Sequence, residues 1–132
     1  MEKVDLTTAT ADINRWLDAK KVSEKKREQQ KDTIAALVEA VQEGNLVVND
    51  DDSLTYILME PVGVSATVKE LKFKKRLTVG EVQNHLQGVK ASDVDGRLMA
   101  YVCALTNVNK TILSQLGTDD YSIPQSIAIF FL

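Results

Sequence analysis

The sequence predicts an α+β fold, mainly helical, built from an N-terminal helix pair, a small β-hairpin and a helical C-terminal half. Three observations predict it. Apolar residues recur at helical spacing in two stretches ahead of residue 45. The turn formers Asn49-Asp50-Asp51-Asp52-Ser53 separate two short β-type runs. From Thr78 onward, helix caps and apolar stripes alternate to the last residue. With 132 residues, 44 % of them apolar and 27 % charged, the chain has the size of one ordinary domain and needs neither disulfide nor metal to bury a core. We read 1–132 as a single domain, with the helix pair in 1–45, the hairpin and an extended segment in 46–77, and the helical part in 78–132.

The elements follow in order. Ile13, Trp16, Leu17 and Lys20 predict a first helix from Thr10 to Lys20, an apolar stripe that ends in a charge. Ser23 is placed to cap a second helix from Glu24 to Glu43, and Gly44 supplies its left-handed stop. Charged and amide residues fill the front of that helix, whereas Ile34, Leu37, Val38 and Val41 form an apolar face, so the front is solvated or awaits a partner. Leu46-Val47-Val48 and Leu54 to Met59 pair as a hairpin, which Glu60-Pro61-Val62-Gly63 breaks. Thr67 to Lys74 is extended, with Leu71 and Phe73 on one face.

Thr78-Val79-Gly80-Glu81 has the form of a capping box and opens a helix that Gly88 ends. Ser92 or Asp93 starts the next helix, along Val94, Leu98, Tyr101, Val102 and Leu105. Asn109 caps a short helix over Lys110 to Leu116 that Gly117 closes. Pro124 fits the first turn of a last helix carrying Ile127, Phe130 and Phe131, with a strand as the alternative for this tail.

Chemistry-bearing residues are few. Sixteen basic against nineteen acidic side chains give a net charge of −3, unlike the basic domains that bind nucleic acid electrostatically. The lone Cys103 lies in an apolar helix and reads as a small hydrophobe, and the lone His85 reads as a surface residue without a marked acid or nucleophile beside it. The acidic cluster at Asn49 lacks the glycine that a calcium loop needs at its sixth position, where Leu54 stands. The expectation is therefore no catalytic residue, no metal and no cofactor. The basic runs Lys20 to Lys31 and Lys69 to Arg76 carry interspersed acids and read as solvated faces, which makes nucleic-acid contact the lesser reading. The opening residues carry charges throughout, and no apolar run approaches the length of a membrane span, so we expect a cytoplasmic protein without membrane contact.

The segment Leu71 to Leu132 resembles the tail assembly chaperones of long-tailed bacteriophages. The pieces that carry the resemblance are Leu71-Lys72-Phe73, the Thr78-Val79-Gly80-Glu81 helix start and Met99 to Thr106. They continue with Asn109 to Leu116, the element Leu116-Gly117-Thr118-Asp119-Asp120-Tyr121, and the apolar end Ile127 to Phe131. The match covers a little under half of the chain and rests on the order and spacing of these pieces.

The resemblance implies a non-enzymatic helper of the host bacterial cytoplasm. Such a helper binds the tape measure protein, and in some arrangements the major tail protein, before the tube polymerises. It self-associates and is absent from the mature virion. The expected partner-binding residues are Trp16, the lone tryptophan, on a short amphipathic helix, and the terminal Ile127, Phe130, Phe131 and Leu132. The alternatives are a small nucleic-acid-binding regulatory protein and a structural tail component retained in the particle.

Overall fold

In a computed structural model that describes residues 3–132, Asp5 caps the first helix, its carboxylate accepting from the Thr8 N–H at 2.7 Å. That cap starts α1 (Leu6–Ala19) a full turn before the expected Thr10 and brings Ala9 into the buried stripe of Ile13, Trp16 and Leu17. Ser23 caps the next helix as expected, accepting from the Lys26 N–H at 3.1 Å. The single helix expected over Glu24 to Glu43 is instead divided at Gln30 (φ −109°, ψ 26°) into α2 (Glu24–Gln29) and α3 (Lys31–Gln42).

The two halves bend apart because they are held by different forces. α3 buries Leu37, Val38, Ala40 and Val41, whereas α2 buries nothing. The cations of α2 tie it down instead. Arg27 donates to the Val22 carbonyl at 3.0 Å and to the Asp18 carboxylate at 2.8 Å, and Lys26 reaches the Ile129 carbonyl at 3.4 Å.

Three antiparallel strands follow in the order β1-β2-β3: β1 (Leu46–Val48), β2 (Leu54–Val62) and β3 (Val68–Phe73). The expected hairpin is present, with Leu46 opposite Tyr56 and Val48 opposite Leu54. The extended segment joins it as a third strand, Phe73 lying opposite Leu54 and Leu71 opposite Tyr56. Contrary to the sequence reading, Glu60-Pro61-Val62 does not break β2. Pairing with β3 is irregular between Ile57 and Val62, so no ladder bond there needs the N–H that proline lacks. The turn comes at Gly63 (φ 86°).

The C-terminal half is helical, as expected. Thr78 and Glu81 form a full capping box at α4 (Val79–Leu86), Asp93 caps α5 (Val94–Thr106), and Asn109 caps α6 (Lys110–Leu113). Two details differ. Gly117 does not close α6; it is the residue that precedes α7 (Thr118–Ile129), with φ −63° and ψ 155°. Pro124 accordingly sits in the middle of α7 rather than in its first turn. The acidic residues Asp119 and Asp120 favour an early start by complementing the positive helix N-terminus. Pro124 withholds an N–H from the Asp120 carbonyl, but it is buried, and its packing offsets the lost bond.

All three layers meet in one core, where Trp16, Leu37, Tyr56, Leu71, Val102 and Ile127 are almost fully buried. Beside this core lies the one buried charged side chain among the described residues, Asp120, 2 % exposed. Its Oδ1 accepts from the Tyr56 hydroxyl at 3.0 Å and the Met59 N–H at 2.9 Å, and its Oδ2 accepts from the Glu60 N–H at 3.1 Å. β1 has ended by this point: the Ile57 N–H bonds the Asn45 carbonyl at 2.7 Å, and no strand residue stands beyond. The carboxylate of α7 takes the place of the missing strand. Burial, and then the bond to Asp120, push the Tyr56 phenol above its ordinary pKa.

Asp120→Ala leaves two backbone donors and a hydroxyl unsatisfied in the core and is expected to lower unfolding free energy by about 3 kcal/mol or more, read by urea denaturation. Glu81 gives a pH prediction. Its bond to the Lys74 ammonium, then its bonds to Thr78, hold its carboxyl at about 2, down from the usual 4.5. A lowered pKa stabilises fully above the unfolded value and is lost as pH falls through the folded one. Protection factors of the α4 amides, taken relative to intrinsic exchange at each pH, should therefore fall between about pH 4.5 and pH 2, and Glu81→Gln should abolish that fall.

Candidate partner-binding surface

Of the five residues expected to meet a partner, Trp16, Phe130 and Phe131 are brought together, and most of the five are buried. Trp16 is 1 % exposed, and Ile127 and Phe130 are buried with it. The Trp16 and Phe130 rings meet edge to face, 5.6 Å between centroids at 85°, and Phe131 tilts against Trp16 at 6.4 Å. Lys20 caps this cluster with its ammonium 3.4 Å from the centroid of the Phe131 ring, which explains why the apolar stripe of α1 ends in a charge. Burial, and secondarily the nearby Lys26, lower the Lys20 pKa. The physical reason for the inward packing is that the stripe of α1 and the apolar end of α7 are each other's complement. Trp16, Ile127 and Phe130 thus serve as core in the folded chain, and only the half-buried Phe131 and the exposed Leu132 retain surface.

Leu132, 55 % exposed, lies with Val94, Arg97 and Leu98 along a small cleft of about 140 Å³ at the start of α5. A larger recess, about 290 Å³, runs between α3 and α7. It is lined by Ala36, Ala40, Met59 and Ile123 together with Asn45, Tyr56 and Ser122, and by the acidic Glu39, Glu43 and Asp119. Met59 is 51 % exposed, the adaptable kind of side chain that moulds to varied partners. No lysine or arginine lines this recess. Glu43 pairs with Lys3 at 3.5 Å on the exposed side. The groove therefore presents an apolar strip beside acidic side chains, suited to a segment with apolar residues flanked by cations.

Sequence reasoning missed this groove because its parts come from α3, β2 and α7. None of its residues belongs to a local motif. The one usable signal was Met59 at the end of an alternating strand, apolar where the solvent face would be polar.

The other candidates lie apart from one another. His85 is exposed on α4, and Cys103 is buried in α5 with its thiol pKa pushed up by burial. Among the described residues, no group of His, Cys, Asp and Glu is arranged to hold a metal. The acidic turn is closed internally, Asp51 accepting from the Ser53 N–H at 3.0 Å, and is clamped to α1 by Arg15, which pairs with Asp52 at 3.0 Å. The basic run of β3 is partly neutralised, Lys72 against Glu70 at 3.7 Å and Lys74 against Glu81. No helix is long and apolar enough to cross a membrane among the described residues.

No protein-family model, characterised protein or solved structure matches the chain. The surface must speak through its chemistry.

Trp16→Ala empties the aromatic centre of the helical end and is expected to cost about 3–5 kcal/mol of stability in chemical denaturation. Leu132→Ala removes only exposed surface and should leave the transition within about 0.5 kcal/mol of wild type.

Proposed function

We propose that the chain is a non-enzymatic assembly chaperone of the kind that long-tailed bacteriophages use in tail morphogenesis, holding the tape measure protein until the tube polymerises around it. The observation that carries this reading is the open groove between α3 and α7, in which Ala36, Ala40, Met59 and Ile123 lie beside the acidic Glu39, Glu43 and Asp119. A long helical client exposes apolar stripes that aggregate in water unless covered. A shallow groove with an adaptable methionine covers such a stripe without enclosing it, so release stays easy, and many copies along one client add up by avidity. The order of elements from Leu71 to Leu132 that resembles the chaperone family supports the same reading. In this reading the protein works in the host cytoplasm and is left out of the finished particle.

The partner surface is accordingly the groove, in place of Trp16. A second reading, nucleic-acid binding, draws on Lys75 and Arg76, but the cleft they line also contains Asp51 and Asp52. That mixture of signs disfavours a phosphate backbone.

The test is a tagged pull-down of the full chain from phage-producing cells, with nuclease treatment and mass spectrometry of what co-elutes. The expected result is recovery of a very long helical tail protein. Glu39→Lys, at an exposed position, should reduce that recovery several-fold while shifting the unfolding transition by less than about 0.5 kcal/mol. Recovery of nucleic acid alone would overturn the reading, and detection of the protein in purified virions would move it to the structural tail components.

A further inference from the structure

The two edges of the sheet are finished differently. The Ile57 N–H turns toward β1, where it bonds Asn45, so the neighbouring Tyr56 and Leu54 turn their main-chain groups toward β3 and pair with Leu71 and Phe73. In β3 the main-chain groups of Glu70 and Lys72 consequently point away from the sheet. Lys74 is next in that series, and its N–H bonds the Leu105 carbonyl at 3.0 Å at the end of α5. Helix α5 thus closes the edge at Lys74 and leaves it open at Glu70 and Lys72. The opposite edge is covered at its end, where Arg15 donates to the Val48 and Asn49 carbonyls, each at 3.1 Å.

We propose that the open edge of β3 is a self-association site, on which a second copy of this chain adds its own β3 antiparallel about a twofold axis at Leu71. Charge selects both the occupant and the register. With the axis at Leu71, Glu70 lies opposite the partner's Lys72, and Lys72 opposite the partner's Glu70, each pair closing two main-chain hydrogen bonds. An axis at Glu70 would oppose glutamate to glutamate, and an axis at Lys72 lysine to lysine. Only one symmetric register therefore satisfies both the open main-chain groups and the side-chain charges. Both side chains are exposed, and the exposed pair they form within one chain, at 3.7 Å, is weak enough to exchange for the pair across the joint. Lysine on an edge strand ordinarily deters pairing. Here Glu70, two residues away on the same face, makes the edge complementary to itself.

The experiment is sedimentation equilibrium of four full-length proteins at low ionic strength: wild type, Glu70→Lys, Lys72→Glu, and the exchange variant carrying both. Each single substitution sets like charges opposite each other at both positions and is expected to weaken the dimer about tenfold. The exchange variant restores both pairs and should return to within about threefold of wild type. An equimolar mixture of the two single variants should form the mixed dimer. The proposal is overturned if wild type stays monomeric up to about 1 mM, if either single variant dimerises as well as wild type, or if the mixture gains nothing over its components. It is likewise overturned if an extended segment of another protein occupies this edge while the chain itself stays monomeric. It rests on the sheet alone, so a chain that dimerises in this way but recovers no tail protein loses the reading of the preceding section and keeps this one.

Discussion

One buried carboxylate holds the two halves of this protein together. Asp120 belongs to α7, yet its acceptors are spent on β2: the Met59 and Glu60 N–H groups and the Tyr56 hydroxyl. A strand whose neighbour stops early must find partners for its exposed main chain, or that edge has to be left to water. β2 outlasts β1, and α7 supplies the substitute. This fixes the distance between helix and strand more sharply than apolar packing alone, because a hydrogen bond tolerates less displacement than a contact between side chains. The groove between α3 and α7 inherits its shape from the same constraint. Its Met59 and its Asp119 each adjoin a residue of that network, so the surface offered to a partner is positioned by the polar centre beneath it.

Cations perform a related task at the opposite end. Lys20 on the Phe131 ring, Lys26 on the Ile129 carbonyl and Arg27 on Asp18 join α1 and α2 to the end of α7. Individually such surface contacts are weak. They matter because α2 has no buried residue to dock with, so its placement depends on them, whereas α1 and α3 are held by their apolar stripes. The charged front of the second helix, which in isolation reads as a wet face, is in fact a set of tethers.

Much of the fold was legible in local chemistry. The Ser23 and Asn109 caps, the Thr78–Glu81 box, the left-handed stop at Gly44 and the hairpin around Asn49–Ser53 are decided by residues within a turn of one another. The errors share one cause. Pro61, Gly117 and Pro124 were each judged on their own conformational preference, and each yielded to packing at a distance. Pro61 survives in a strand because its pairing is irregular there, and Pro124 survives in a helix because it is buried. The site residues divided the same way. An aromatic on a short amphipathic helix looks like an anchor until a matching apolar segment, more than a hundred residues away in the chain, closes over it.

By itself, then, the sequence determined the class of fold, the starts of most helices, the alternation of β3 and the presence of an apolar terminus, because backbone caps, turn residues and periodic burial act over a few residues. Only the tertiary structure decided that Trp16 is core, that Asp120 is buried and bonded to β2, that one sheet edge is covered at its end by Arg15 and the other left open, and that Glu39, Met59 and Asp119 share a groove. Those are meetings between residues far apart in the chain. No local preference encodes them, since each partner is intelligible only once the backbone has brought the other within hydrogen-bond or contact distance.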